Sequence, residues 1–151
     1  MIDEDGRLED IYDALVHVSS IFPSDTNLTC TLTAKDTANT FSDWAEIEDN
    51  TGGTTLKLSA QFATLPGHIT AVMVETVSQD DTIYEFEIAW GAAKNVVGRF
   101  RFAGGTKFQA PNTTARYWAP NIPAGETVYY RMKSATAVAD TCTVHFRFHT
   151  H

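Results

Sequence analysis

Three groups of residues in this chain have types and spacings that could do chemistry. The first is the run His145-Phe146-Arg147-Phe148-His149-Thr150-His151. Side chains alternate between faces along an extended strand, so His145, Arg147, His149 and His151 share one side. Imidazoles at i and i+2 suit zinc. However, Arg147 puts a cation inside the row, and no cysteine or carboxylate shares the strand. The row therefore reads as a solvated or interface face, and no metal or other cofactor is expected. The second group is the carboxylate pair Glu85 and Glu87, the residue types that glycoside hydrolysis uses. The facing run carries Arg99 and Arg101. A neighbouring cation favours the ionised carboxylate, whereas a general acid must hold its proton. The third group is Gly104-Gly105-Thr106-Lys107, a fragment of a phosphate loop without the full spacing or a following helix.

Nucleophilic catalysis finds no local signature. The chain has Ser, His and Asp but no Gly-x-Ser-x-Gly elbow. His68 follows Pro66-Gly67 at a strand start and reads as a surface residue, and His17 lies on or near a helix. The expectation is a non-enzyme with no catalytic residue. Trp44, Tyr117 and Trp118 fall near loops or short strands. Exposed rings there could stack on sugars, which keeps open a carbohydrate-binding sandwich, such as a receptor-binding or fibre-tip domain. The competing use of these rings is to fill the core. Cys30 and Cys142 each fall on the apolar parity of their runs and read as buried thiols. A disulfide between them requires that the first and last strands be neighbours.

The elements that would position these groups follow from periodicity. In the run 83–90, Tyr84, Phe86, Ile88 and Trp90 alternate with Glu85, Glu87 and Ala89. In 96–102, Val96, Gly98, Phe100 and Phe102 alternate with Val97, Arg99 and Arg101. Folding the two runs about Gly91-Ala92-Ala93-Lys94-Asn95, with Trp90 opposite Val96, sets Phe86 against Phe100 and Tyr84 against Phe102. It also sets Glu87 against Arg99 and Glu85 against Arg101. Aromatic pairs and opposite-charge pairs each stabilise one antiparallel register, and here both faces select the same one.

Period-two runs also cover 28–34, 44–48, 54–62, 68–77, 115–118, 126–134 and 141–149, separated by Gly, Pro, Asn and Asp turns. The 21 Thr, nine Phe and five Tyr favour strands. The expected fold is all-β, an antiparallel β-sandwich of jelly-roll type occupying 27–151. The run 68–77 is apolar on both parities, as a strand covered on both faces would be. Residues 1–26 read as an arm with a short amphipathic helix, whose stripe Leu8, Ile11, Tyr12 and Leu15 must dock on the sheet or on another subunit.

Charge is unevenly placed. Residues 1–93 hold 3 Lys and Arg against 17 Asp and Glu, a net −14; residues 94–151 hold 8 against 2, a net +6. Pairing of early with late strands accounts for part of this, and complementarity between copies is the alternative. A chain of net charge −8 lacks the basic footprint of a nucleic-acid binder. No apolar run approaches the roughly 20 residues of a membrane helix.

The segment Asn121-Ile122-Pro123-Ala124-Gly125-Glu126-Thr127-Val128-Tyr129-Tyr130-Arg131-Met132-Lys133 is a Pro-Gly turn feeding an alternating strand, and Thr141-Cys142-Thr143-Val144-His145-Phe146-Arg147-Phe148-His149 closes the pattern. With the earlier segment from Tyr84 to Ala93, this arrangement resembles small virion proteins of tailed bacteriophages over about residues 66–149. The resemblance implies a capsid decoration, or cement, protein made in the host bacterial cytoplasm and carried on the capsid surface. Its expected partners are other copies of itself, as a homotrimer, and the major capsid protein.

Overall fold

The structure, a computed structural model, describes residues 20–104, 113–116 and 121–151, with the backbone alone in 113–116. The helix stripe Leu8, Ile11, Tyr12 and Leu15, the segment 105–107, and Tyr117 and Trp118 lie outside the described residues. Those residues form nine strands: β1 (Ser20–Phe22), β2 (Cys30–Thr33), β3 (Ala45–Glu46), β4 (Gly67–Val77), β5 (Ile83–Trp90), β6 (Asn95–Ala103), β7 (Thr113–Arg116), β8 (Val128–Ser134) and β9 (Thr141–Thr150). One sheet runs β1-β9-β4-β7, with β2 also on β9; the other runs β3-β8-β5-β6. β1 pairs with 146–148 of β9 and β2 with 141–144, so the two follow one another along a single edge. Counted as one interrupted strand, they leave four strands in each sheet. The chain then crosses between sheets in the order of two interlocked Greek keys, which makes this a jelly roll.

Inward-facing residues of both sheets fill the space between them. Cys30, Leu32, Ile69, Val72, Val74, Cys142, Val144, Phe146 and Phe148 come from the first sheet. Tyr84, Phe86, Ile88, Val97, Phe100, Val128, Tyr130 and Met132 come from the second. Four of the five predicted pairs of the β5–β6 hairpin are present: Tyr84 with Phe102, Glu85 with Arg101, Phe86 with Phe100 and Glu87 with Arg99. The pairing nearest the loop differs. Trp90 stands opposite Asn95, and Ala89 opposite Val96, because a bulge leaves Val97 as an extra residue between Gly98 and Val96. A bulge reverses the side-chain parity beyond it. Val97 is therefore buried and Val96 exposed, the opposite of what simple alternation from Phe100 gives.

A second bulge explains the two-sided apolar pattern of 68–77. Ile69 pairs with Phe148 and Ala71 with Arg147, so Thr70 is the extra residue. Ile69 faces the core before the bulge, and Val72 and Val74 face it afterwards. The double parity thus comes from a register shift within one strand.

The run 54–62 is not a strand. Residues 58–62 form a 3-10 turn whose buried members, Leu58 and Phe62, lie four residues apart and close one end of the sandwich. Tertiary burial of that i, i+4 pair overrides the alternation. The run 44–48 contributes only the two-residue β3, and the run predicted at 115–118 appears earlier, as β7. The described sheet also starts at Ser20, inside the segment read as the arm.

Candidate functional site

The two outer faces of the sandwich hold the chemically capable side chains. On the β3-β8-β5-β6 sheet, β5 is central, and its outward carboxylates are buried. Glu87 is 0% exposed and Glu85 5%. Register places Glu87 between Arg99 of β6 and Arg131 of β8, and Glu85 between Arg101 and Lys133. Arg99 Nη2 donates to Glu87 Oε1 at 3.0 Å. Arg131 Nη2 donates to the same carboxylate at 3.3 and 3.4 Å. Arg101 donates through Nε at 2.8 Å and through Nη2 at 2.5 Å to Glu85 Oε2. Lys133 Nζ stands 3.9 Å from Glu85 Oε1, and Arg99 Nε 3.6 Å from it.

The 39–46 segment lies beside β8, tied by Asn39 N–H to Ser134 O at 2.7 Å and Ser42 N–H to Met132 O at 2.9 Å. It lays Phe41 and Trp44 on the Arg131 guanidinium, with ring centroids at 4.3 and 4.6 Å, and Lys133 Nζ is 4.5 Å from the Phe41 ring. These are cation–π contacts. Long side chains and rings, rather than a second protein layer, take the carboxylates out of water.

This arrangement settles what Glu85 and Glu87 do in the fold. Each carboxylate is engaged by cations on both neighbouring strands. The cations outnumber the carboxylates, and Arg99 and Arg101 side chains remain 63% and 70% exposed. The face therefore presents guanidinium donors to whatever approaches it, and such forks match carboxylates and phosphates. Two depressions occur among the described residues, the first of them on this face. One of about 200 Å³ is lined by Asn39, Ile83, Glu85, Arg101, Lys133 and Ser134. The other, of about 420 Å³, lies around Leu56, Lys57, Ser59, Ala60, Gly125 and Glu126. Neither is lined by a histidine or a cysteine.

The other sheet turns its histidines outward, as the alternation of the last strand requires. They do not act as one row. His145 Nδ1 lies 2.6 Å from Glu75 Oε1, and its Nε2 lies 3.0 Å from Met73 Sδ. At the far end of the same strands His68 pairs with His149 across β4 and β9, and His151 joins them. The ring centroids of His68 stand 4.9 Å from those of both His149 and His151, and the His149 and His151 centroids are 5.5 Å apart. Gly67 makes this approach feasible. A Cβ at Gly67 would meet the His149 carbonyl oxygen at 2.2 Å and the Phe62 ring at 2.7 Å.

Sequence reasoning found Glu85, Glu87, Arg99 and Arg101. It missed Arg131, Lys133 and Phe41, although Arg131 and Lys133 have the two-residue spacing that complements Glu87 and Glu85. It also treated His68 separately from the final strand, and only the β4–β9 pairing unites them. Trp44 is half-buried against Arg131, so one of its faces is already used.

Cys30 and Cys142 are both free and buried, on adjacent strands. Leu32 stands opposite Cys142 and Val144 opposite Cys30. This diagonal offset, about 7–8 Å in a typical sheet, exceeds disulfide reach. Burial pushes both thiols up, Cys142 to about 12; Asp49 and Glu48 add to the rise at Cys30.

Fold and surface together define an all-β jelly roll with charged outer faces, and no described helix is long and apolar enough to cross a membrane. No protein-family model, curated protein or solved structure matches the chain.

Proposed function

We propose that the chain is a structural virion protein of a tailed bacteriophage, a capsid decoration protein that binds the outer shell as a homotrimer and stabilises it. The observation that carries this reading is the exposed Arg99 and Arg101 pair on a sheet whose own carboxylates are already engaged. In a chain of net charge −8, that face is a cationic island suited to an acidic surface, whether on another copy or on the shell. The jelly roll, with Greek-key strands and short hairpin loops, is a rigid body whose exterior does the work. The resemblance over about residues 66–149 points the same way. A trimer engaging several shell subunits at once would oppose their separation, with modest individual contacts multiplied by valency.

The test is adsorption to shells prepared without this protein, combined with native mass measurement. A trimer that binds the shell, and binds it at least tenfold more weakly after Arg99→Glu with Arg101→Glu, is expected. A monomer at micromolar concentration that leaves such shells bare would reject the proposal.

A further inference from the structure

We propose that His68, His149 and His151 form a binding site for a divalent transition metal ion of the zinc class. One ring nitrogen from each residue lies within 4.8 Å of the others. Three nitrogens on a tetrahedral zinc, at about 2.0–2.1 Å from the ion, lie about 3.3 Å apart. Small inward rotations of the rings close that difference, because the backbone already holds the three positions. His68 and His149 are register partners, and Gly67 pairs with Thr150 beside them. His151 N–H donates to Pro66 O at 3.0 Å, carrying the pairing one residue past the end of β9. The Gly67 N–H and carbonyl are both bonded to Ile122, at 3.0 and 2.7 Å. The ligands thus issue from a fixed ladder, the support that a metal site needs.

The donor set selects the ion. Three imidazoles suit zinc, nickel and copper, whereas magnesium and calcium require oxygen ligands. Three protein ligands leave one tetrahedral position for water or another group. His151 is exposed, which gives an ion access. Arg147, two residues before His149 on the same face, opposes the incoming charge, so micromolar rather than nanomolar affinity is expected. The bound ion would fasten the end of β9 to the start of β4. The site stands independently of the virion reading.

Isothermal titration of the full chain with zinc chloride provides the test, with cobalt chloride as a spectroscopic probe of coordination. The expected result is one zinc per chain, cobalt absorption of four-coordinate type, and a thermal midpoint that rises with zinc. His68→Ala and His149→Ala should each weaken binding at least tenfold, while His145→Ala, four residues before His149 and opposite Met73, should leave it unchanged. Circular dichroism verifies that each variant is folded, and His68→Gln serves if His68→Ala is not. Wild-type zinc affinity in the His68 and His149 variants, equal loss in His145→Ala, or no saturable binding up to millimolar zinc would overturn the proposal.

Discussion

The two outer faces of this sandwich handle ionisable groups in opposite ways. On the β3-β8-β5-β6 sheet, permanent charges are set in alternating columns, with carboxylates on the central strand and cations on both flanks. On the β4–β9 pair, the groups are mostly imidazoles, three of them gathered at one end of the ladder and His145 near its middle. The first arrangement is tied to the fold, because a buried carboxylate without its cation is strongly unfavourable. The second is less tied to it, since His68, His145 and His149 are only partly buried and His151 is exposed. The difference separates a face whose charges specify the register of its sheet from a face whose ionisable groups do so less.

The largest expected effect comes from breaking the charged face at Glu87. Arg99→Ala and Arg131→Ala each leave one cation on that carboxylate and should cost about 1 kcal/mol, the range of a partly exposed pair. Together they strip a carboxylate that is 0% exposed, and the loss should reach about 3–5 kcal/mol, well beyond the sum of the single changes. Urea unfolding of the four proteins measures this coupling. Additive losses would mean that water reaches Glu87 and that its burial is incidental.

The contrast between faces also governs what the sequence reveals. The β5–β6 hairpin was legible because both of its strands are local and carry two independent signals, rings on one face and charges on the other. β8 contributes cations to the same carboxylates, yet its Arg131 lies 44 residues from Glu87, and no local turn announces the pairing. The histidine cluster depends on His68 meeting His149 across strands more than seventy residues apart in sequence, which alternation alone cannot supply. The bulges at Thr70 and Val97 were hidden for a related reason. A bulge is written as a change of parity, and in an apolar strand such as 68–77 that change resembles burial on both sides. The turn at 58–62 was misread because Leu58 and Phe62 satisfy both a two-residue and a four-residue period.

The interior of the first sheet gives the next effect. Cys30 and Cys142 are neutral when protonated, and burial keeps them so well above the range of an exposed thiol. Since the folded value is the raised one, the thiols' contribution is fully present below about pH 8.5 and is lost as pH climbs towards the folded values. At pH 10 each thiol should cost about 2 kcal/mol relative to neutral pH, because the unfolded chain ionises and the folded one does not. Tyr84, also raised by burial, acts in the same direction at higher pH. Comparing urea midpoints at pH 8 and pH 10 for the wild type and a Cys30→Ala, Cys142→Ala variant isolates the thiol part. An unchanged pH dependence in the variant would assign the alkaline loss elsewhere.

Gly67→Ala probes how tightly the ladder under the histidines is drawn. The new methyl would sit 2.2 Å from a backbone oxygen, where no flexible side-chain end can yield. Either β4 and β9 separate locally or the Phe62 ring is displaced, at about 1–3 kcal/mol. Thermal or urea unfolding reads the loss, and a neutral outcome would show that the close approach at Gly67 relaxes without penalty.

The smallest effect is expected farther along the same face, near the middle of the ladder. Glu75 and His145 are in contact, but Glu75 is 36% exposed, so water already solvates much of its charge. Glu75→Gln keeps the shape and a hydrogen-bonding group while removing the charge, and should change stability by about 1 kcal/mol or less. A double-mutant cycle with His145→Ala isolates the pair, because the His145 change also removes the Met73 contact. A coupling as large as that expected at Glu87 would erase the distinction between the two faces. It would mean that the β4–β9 surface, like its counterpart, holds its ionisable groups as part of the fold.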